Sequence, residues 1–215
     1  MGLQRDASHG TRLYRTDEEI EAATGRIRTT AQNDLQEFQN PNANVGTGPP
    51  GHWGERARSA ARQTSLLVEP EDGRLPPMTP EGQAITARVN AERQGAGTAR
   101  PADSWEGYTY YIRCISRGVT GSIFPVIYGN GQQIVQGPGF VTILQEMVHE
   151  ARVIPLDGRP HAGPNIRSYM GDARGRWEGN TLVVETTNFI GGTTGIGPNG
   201  QGTPTSDALK LTERY

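Results

Sequence analysis

The chain has one cysteine, Cys114, which excludes an internal disulfide, and without a Cys-x-x-Cys pair it offers no thiolate zinc site. No apolar run approaches the roughly 20 residues of a membrane-spanning helix. The polar start MGLQRDASHG lacks the apolar core of a secretory signal. An excess of either charge is also lacking: 21 Lys and Arg against 23 Asp and Glu give a net charge of -2. With no basic block suited to a phosphate backbone, nucleic acid is not an expected partner. Aromatic residues are scarce at the front, where only Tyr14, Phe38 and Trp53 precede residue 105. The expected core therefore lies in the second half. These absences describe a soluble chain, periplasmic or secreted if a signal precedes the given start and otherwise cytoplasmic.

What is abundant is punctuation, with 29 Gly and 15 Pro in 215 residues. Thr16 and Glu19 fit a capping box, and Ile20, Ala23, Ile27, Ala31, Leu35 and Phe38 recur at helical spacing, interrupted by Gly25. This predicts an amphipathic helix over 17–39. Residues 40–54 cannot hold regular structure and read as a linker, so the chain divides into an N-terminal helical arm and linker, 1–54, and a second domain, 55–215. TSLLV reads as a short strand, EPEDGRLPP as a turn, and Thr79-Pro80-Glu81 opens a second helix carrying Ala84, Ile85 and Val89. A third helix is expected around 103–114. Beyond it SIFPVIY, QQIVQ, GFVTILQEMV, ARVIPL, GRWE, TLVVETTNF and DALKLTERY read as strands joined by short turns. The fold class is α+β and β-dominant, an antiparallel meander rather than βαβ units. DALKLTERY has no closing element after it, so the chain reads as a fragment whose barrel would lack its last strands.

One hairpin can be registered in advance. If Gly179-Asn180 form the turn, Trp177 pairs with Leu182, Gly175 with Val184 and Arg174 with Glu185. Trp177, Leu182, Val184 and Thr186 then share an apolar face, and Arg174, Arg176, Glu178 and Glu185 share the other with Val183. That polar face is either solvated or turned into a polar cavity.

The segments TSLLVEPEDGRLPPMTPEG, IRCISRGVTGSIFPVIYGNGQQIVQGPGFVTILQEMVHEARVIPLDGRPH, GDARGRWEGNTLVVETTNF and SDALKLTERY together resemble a large uncharacterised group of bacterial proteins common in Acidobacteria and Proteobacteria. The resemblance covers roughly residues 53–215 and is most specific from Ile112 to Phe189. It implies a secretory start and further strands after the ERY segment. Ala173 and Asn180 depart from the Ser and Asp usual in the group, which changes turn chemistry more than site chemistry. The meander is similar to calycin or lipocalin-like barrels, a likeness that assigns no function by itself.

The densest polar stretch is HEARVIPLDGRPH, from His149 to His161. In a strand over 139–149, Phe140, Thr142, Leu144, Glu146 and Val148 alternate with Val141, Ile143, Gln145, Met147 and His149, so both faces are largely apolar and both are expected to be covered. Arg152 is the nearest partner for Glu146 or Glu150. Three readings compete. His149 and Arg152 satisfy neighbouring groups at a hairpin end; or His149 is an acid/base group oriented by Glu146, with Arg152 stabilising developing negative charge; or His149, Asp157 and His161, with Glu150, hold a metal, although no compact ligand spacing is present.

Asp157-Gly158 is most simply a turn. GNGQQIVQGPG precedes a strand and lacks Lys-Ser/Thr, so it is no phosphate loop. Cys114 reads as a buried, inert thiol. Trp105, Tyr108, Tyr110 and Tyr111 form either core or, at a barrel mouth, a platform for an aromatic ligand. Candidate ligand-binding residues are Tyr110, Tyr128, Arg113, Trp177, Arg174 and Glu185, and the expected partner is a small apolar or aromatic molecule. The leading function is a ligand-binding barrel without organic cofactor, acting as a lyase, dehydratase or isomerase. The alternatives are a non-catalytic carrier and a structural or interaction protein of the bacterial envelope, with the N-terminal helix forming a homodimer.

Overall fold

A computed structural model describes residues 2–40, 53–55, 57–93, 104–126 and 128–215. The chain gathers into two compact units, Met1–Pro77 with Pro125–Gly129, and Met78–Phe124 with Asn130–Tyr215. The division falls at residue 77 rather than in the linker expected over 40–54, and most of that linker lies outside the described residues.

The first unit carries α1 (Asp17–Gln39), with the capping box formed as its sequence requires: Thr16 Oγ1 accepts from Glu19 N–H and Glu19 accepts from Thr16 N–H. Arg12 clamps the same Glu19. The expected TSLLV strand does not form; Ser65 and Gln63 make single bridges to Gly2 and Tyr14, and Leu66 and Leu67 bond to Gly2 and Leu3 carbonyls. Without a continuous partner strand the ladder cannot extend beyond these isolated bonds.

The second unit contains α2 (Pro80–Arg93), opening at the predicted residue, and α3 (Gly118–Ile123). The helix expected around 103–114 is only a 3₁₀ turn at Trp105–Gly107 followed by turns. SIFPVIY is not a strand where it is described: Ser122 and Ile123 end α3, and Pro125 withholds a ladder donor. Glycine sets the position of α3, since a Cβ on Gly121 would lie 2.1 Å from Gly200 N.

Among the described residues eight strands follow: β1 (Gln132–Gly137), β2 (Phe140–Gln145), β3 (Ala151–Pro155), β4 (Asp172–Glu178), β5 (Thr181–Thr187), β6 (Gly195–Ile196), β7 (Thr203–Pro204) and β8 (Leu211–Arg214). They form three antiparallel sheets, β1-β2-β3, β4-β5-β8 and β6-β7, so the unit is α+β as expected, and no closed barrel forms among the described residues. The β4–β5 hairpin has the predicted register, with Trp177 opposite Leu182, Gly175 opposite Val184 and Arg174 opposite Glu185.

The two larger sheets share one core, in which Val141, Ile143 and Ile154 meet Ala173, Leu182 and Val184. Each buried aliphatic side chain contributes about 1.5–3 kcal/mol. Gly175 permits the close approach, because a Cβ there would sit 2.7 Å from both Ile154 and Leu156. The opposite face of β1-β2-β3 is open, with Val135, Phe140 and Val153 exposed, which corrects the expectation that β2 is covered on both sides. Trp177 shares the face of Leu182 yet is 49% exposed, being at the hairpin end beyond the core. No described helix is long and apolar enough to cross a membrane.

Candidate functional site

The strand through His149 ends early. After Gln145 the chain turns, and Val148 and His149 take φ of 68° and 57°, the left-handed region that β-branched and bulky residues rarely adopt. This throws His149 onto the surface, where it makes no side-chain hydrogen bond or ion pair among the described residues. Glu146 does not orient it: that carboxylate is exposed and accepts from Gly131 N–H at 2.8 Å, closing the loop into β1.

Arg152 faces the other way, into the space between the sheets. It donates to both Glu213 oxygens, at 2.5 and 3.0 Å, and to Tyr215 Oη at 3.1 Å. Tyr215 donates to Glu213 at 2.7 Å, and burial of its hydroxyl end, with the Glu213 charge beside it, pushes the phenol well above its ordinary range. Burial opposes the Arg152 charge, but the bonds to Glu213 and Tyr215 outweigh it and raise its pKa. Glu150 turns to Ser116, whose hydroxyl donates to it at 2.7 Å. His149, Glu146 and Arg152 are thus directed to three different places, and the expected catalytic trio does not assemble. Residues 146–149 form a turn rather than continuing β2, so the alternation that placed these side chains on defined faces ends at Gln145.

A different histidine has the oriented geometry. His161 Nδ1 lies 3.1 Å from Asp172 Oδ2, at the start of β4. The same oxygen accepts from Ala162 N–H at 2.8 Å, and Arg174 donates to Oδ1 at 2.6 Å. Arg174 is itself held by the carbonyls of Arg159 and Pro160. Burial alone would raise the Asp172 carboxyl, but the bonds from Ala162, Arg174 and His161 together hold it below its ordinary value. A carboxylate fixed from two sides accepts the Nδ1 proton and leaves Nε2 as the free ring nitrogen. The His161 side chain is 29% exposed. Alternation along β4 places Asp172 and Arg174 on one face, and the loop from Arg159 brings His161 to that face; the sequence carries no local signal for this meeting.

The remaining candidates scatter. Asp157 accepts from Arg159 N–H and pairs with its guanidinium, which holds the carboxyl down at about 2, and Gly158 takes φ of 74°, so the turn reading stands. Among the described residues no three His, Cys, Asp or Glu side chains converge as a metal site, and His149, Asp157 and His161 each have separate surroundings. Glu185 is exposed and binds Arg176, which also binds Glu178, itself paired with Arg214. On that sheet face Arg176, Glu178 and Glu185 are exposed around the buried Val183, and Arg174 turns to Asp172 and the Pro160 carbonyl. Tyr128 belongs to the first unit, where its ring meets Trp53 edge-on at 6.1 Å. Cys114 is exposed, not buried, at φ of 54°. Tyr110 and Arg113 do come together: the Arg113 guanidinium lies over the Trp105 and Tyr110 rings, and Tyr110 packs on Tyr169 at 5.5 Å.

Comparison of the chain with family models, curated proteins and solved structures found no match, so the site is read from its own geometry.

Proposed function

We propose that the chain binds a small apolar or aromatic molecule and moves a proton on it, with His161 as the acid/base group and no organic cofactor in the step. The observation that carries this reading is the imidazole fixed at Nδ1 by Asp172, which is fixed in turn by Ala162 N–H and Arg174. Nε2 then accepts a proton from an O–H or an acidic C–H, and Asp172 balances the imidazolium until the proton is returned. A lyase, dehydratase or isomerase requires one such group. The resemblance to the bacterial group and to calycin-like barrels belongs to the same proposal. In it the bound molecule lies against the sheets of the second unit, the two larger of which share an apolar core.

The test is native mass spectrometry of the purified protein to identify a co-purifying molecule, followed by a turnover assay on that compound class. The reading expects turnover by the wild type and by His149→Gln, and its loss in His161→Gln and Asp172→Asn with thermal melting unchanged. Turnover that survives in His161→Gln refutes it, and a bound compound that no form turns over makes the chain a carrier.

A further inference from the structure

Arg113 differs from most of the arginines of the second unit. In the second unit Arg152, Arg159, Arg167, Arg174, Arg176 and Arg214 each pair with a carboxylate. Arg113 is half-buried, with its guanidinium carbon 4.3 Å from the Trp105 ring centroid and 5.2 Å from that of Tyr110. Among the described residues its side chain makes no hydrogen bond and no ion pair. Aromatic rings stabilise the charge but supply no acceptor oxygen for the planar fork of N–H donors. Trp105 is 62% exposed and Tyr108 38%, so the aromatic surroundings are open to solvent.

We propose that this platform binds the carboxylate of a small aromatic acid. The fork takes both oxygens of the carboxylate, and the ring of the ligand lies against the exposed Trp105 indole. One guanidinium with no carboxylate partner among the described residues balances one negative charge, which suits a carboxylate better than a phosphate dianion. The Tyr110 ring in turn packs on Tyr169, with centroids 5.5 Å apart. The ligand class assigned here rests on the reading of the chain as a small-molecule binder, and it does not depend on proton transfer at His161.

The probes are benzoate, benzyl alcohol and inorganic phosphate, titrated against the full chain while the Arg113 Nε–Hε and Tyr110 ring resonances are followed by NMR. Benzoate is expected to shift these signals saturably in the wild type and in His161→Gln. Benzyl alcohol, which lacks the charge, is expected to bind at least about tenfold more weakly, as is benzoate to Arg113→Gln. Arg113→Lys keeps the charge without the fork and falls between them. Equal affinity for benzoate and benzyl alcohol overturns the proposal, as does tighter binding of phosphate than of benzoate. A benzoate response kept in Arg113→Gln but lost in His161→Gln also overturns it and moves the ligand to His161.

Discussion

Replacing Glu213 by Ala strands Arg152 between the sheets. The two side chains are 3% and 7% exposed, and Arg152 Nε is already buried without a hydrogen-bond partner. Removing the carboxylate takes away both bonds that compensate the guanidinium and leaves only Tyr215 Oη beside it. Breaking one side of a buried pair costs about 3–5 kcal/mol, because the remaining charge has lost its solvent and its partner. For a chain of this size that corresponds to a fall in melting temperature of roughly 10 °C. Near-UV circular dichroism reads the loss of packing, and amide exchange at Val184, on the strand that pairs with β8, localises it to the core between the sheets. The double variant Arg152→Met/Glu213→Leu removes both charges and is expected to recover most of the loss. Melting of Glu213→Ala within about 2 °C of the wild type would refute the reasoning, since on this scale it corresponds to less than about 1 kcal/mol.

Two other perturbations test the local readings. Burial lifts the Glu150 carboxyl above its ordinary range, against the opposing bonds from the Ser116 hydroxyl and Arg117 N–H. A folded pKa above the unfolded value of about 4.3 means that stability is full below that value and falls as pH rises through the folded one. Glu150→Gln removes this loss, so its melting temperature relative to the wild type should be higher at pH 7 than at pH 4; an equal difference at both would contradict the assignment. His149→Gly should raise stability by about 1 kcal/mol in denaturant melts, because glycine adopts the left-handed conformation without the cost a side chain brings. Destabilisation by that change would show that the His149 side chain makes a contact the fold needs.

The parts legible in the sequence are those fixed by short-range rules. The capping box at Thr16 and Glu19, Pro80 at the start of α2 and the Gly179-Asn180 turn each act within a few residues, and each element begins or pairs where they predict. What short-range rules do not show depends on distant partners. Gly118 to Ile123 carries β-branched residues and two glycines yet is helical, because Gly121 lets it press against the backbone of Gly200. The alternation through GFVTILQEMVH gives no sign that Val148 and His149 turn left-handed, so the pattern carried His149 onto a strand it does not join. Carboxylates near Arg152 in sequence are Glu146 and Glu150, but its partner is Glu213, sixty-one residues on. His161 and Asp172 lie eleven residues apart, with only a loop between them, and no periodicity connects a loop residue to a strand.

The proton-transfer role of His161 is tested most directly by its tautomer, read from long-range ¹H–¹⁵N correlations of the neutral imidazole ring. A single neutral form is expected, with the proton on Nδ1, bonded to Asp172, and a bare Nε2, and Asp172→Asn is expected to lose that preference. A ring protonated mainly on Nε2 in the wild type would leave no base facing the ligand and would contradict the proposed role.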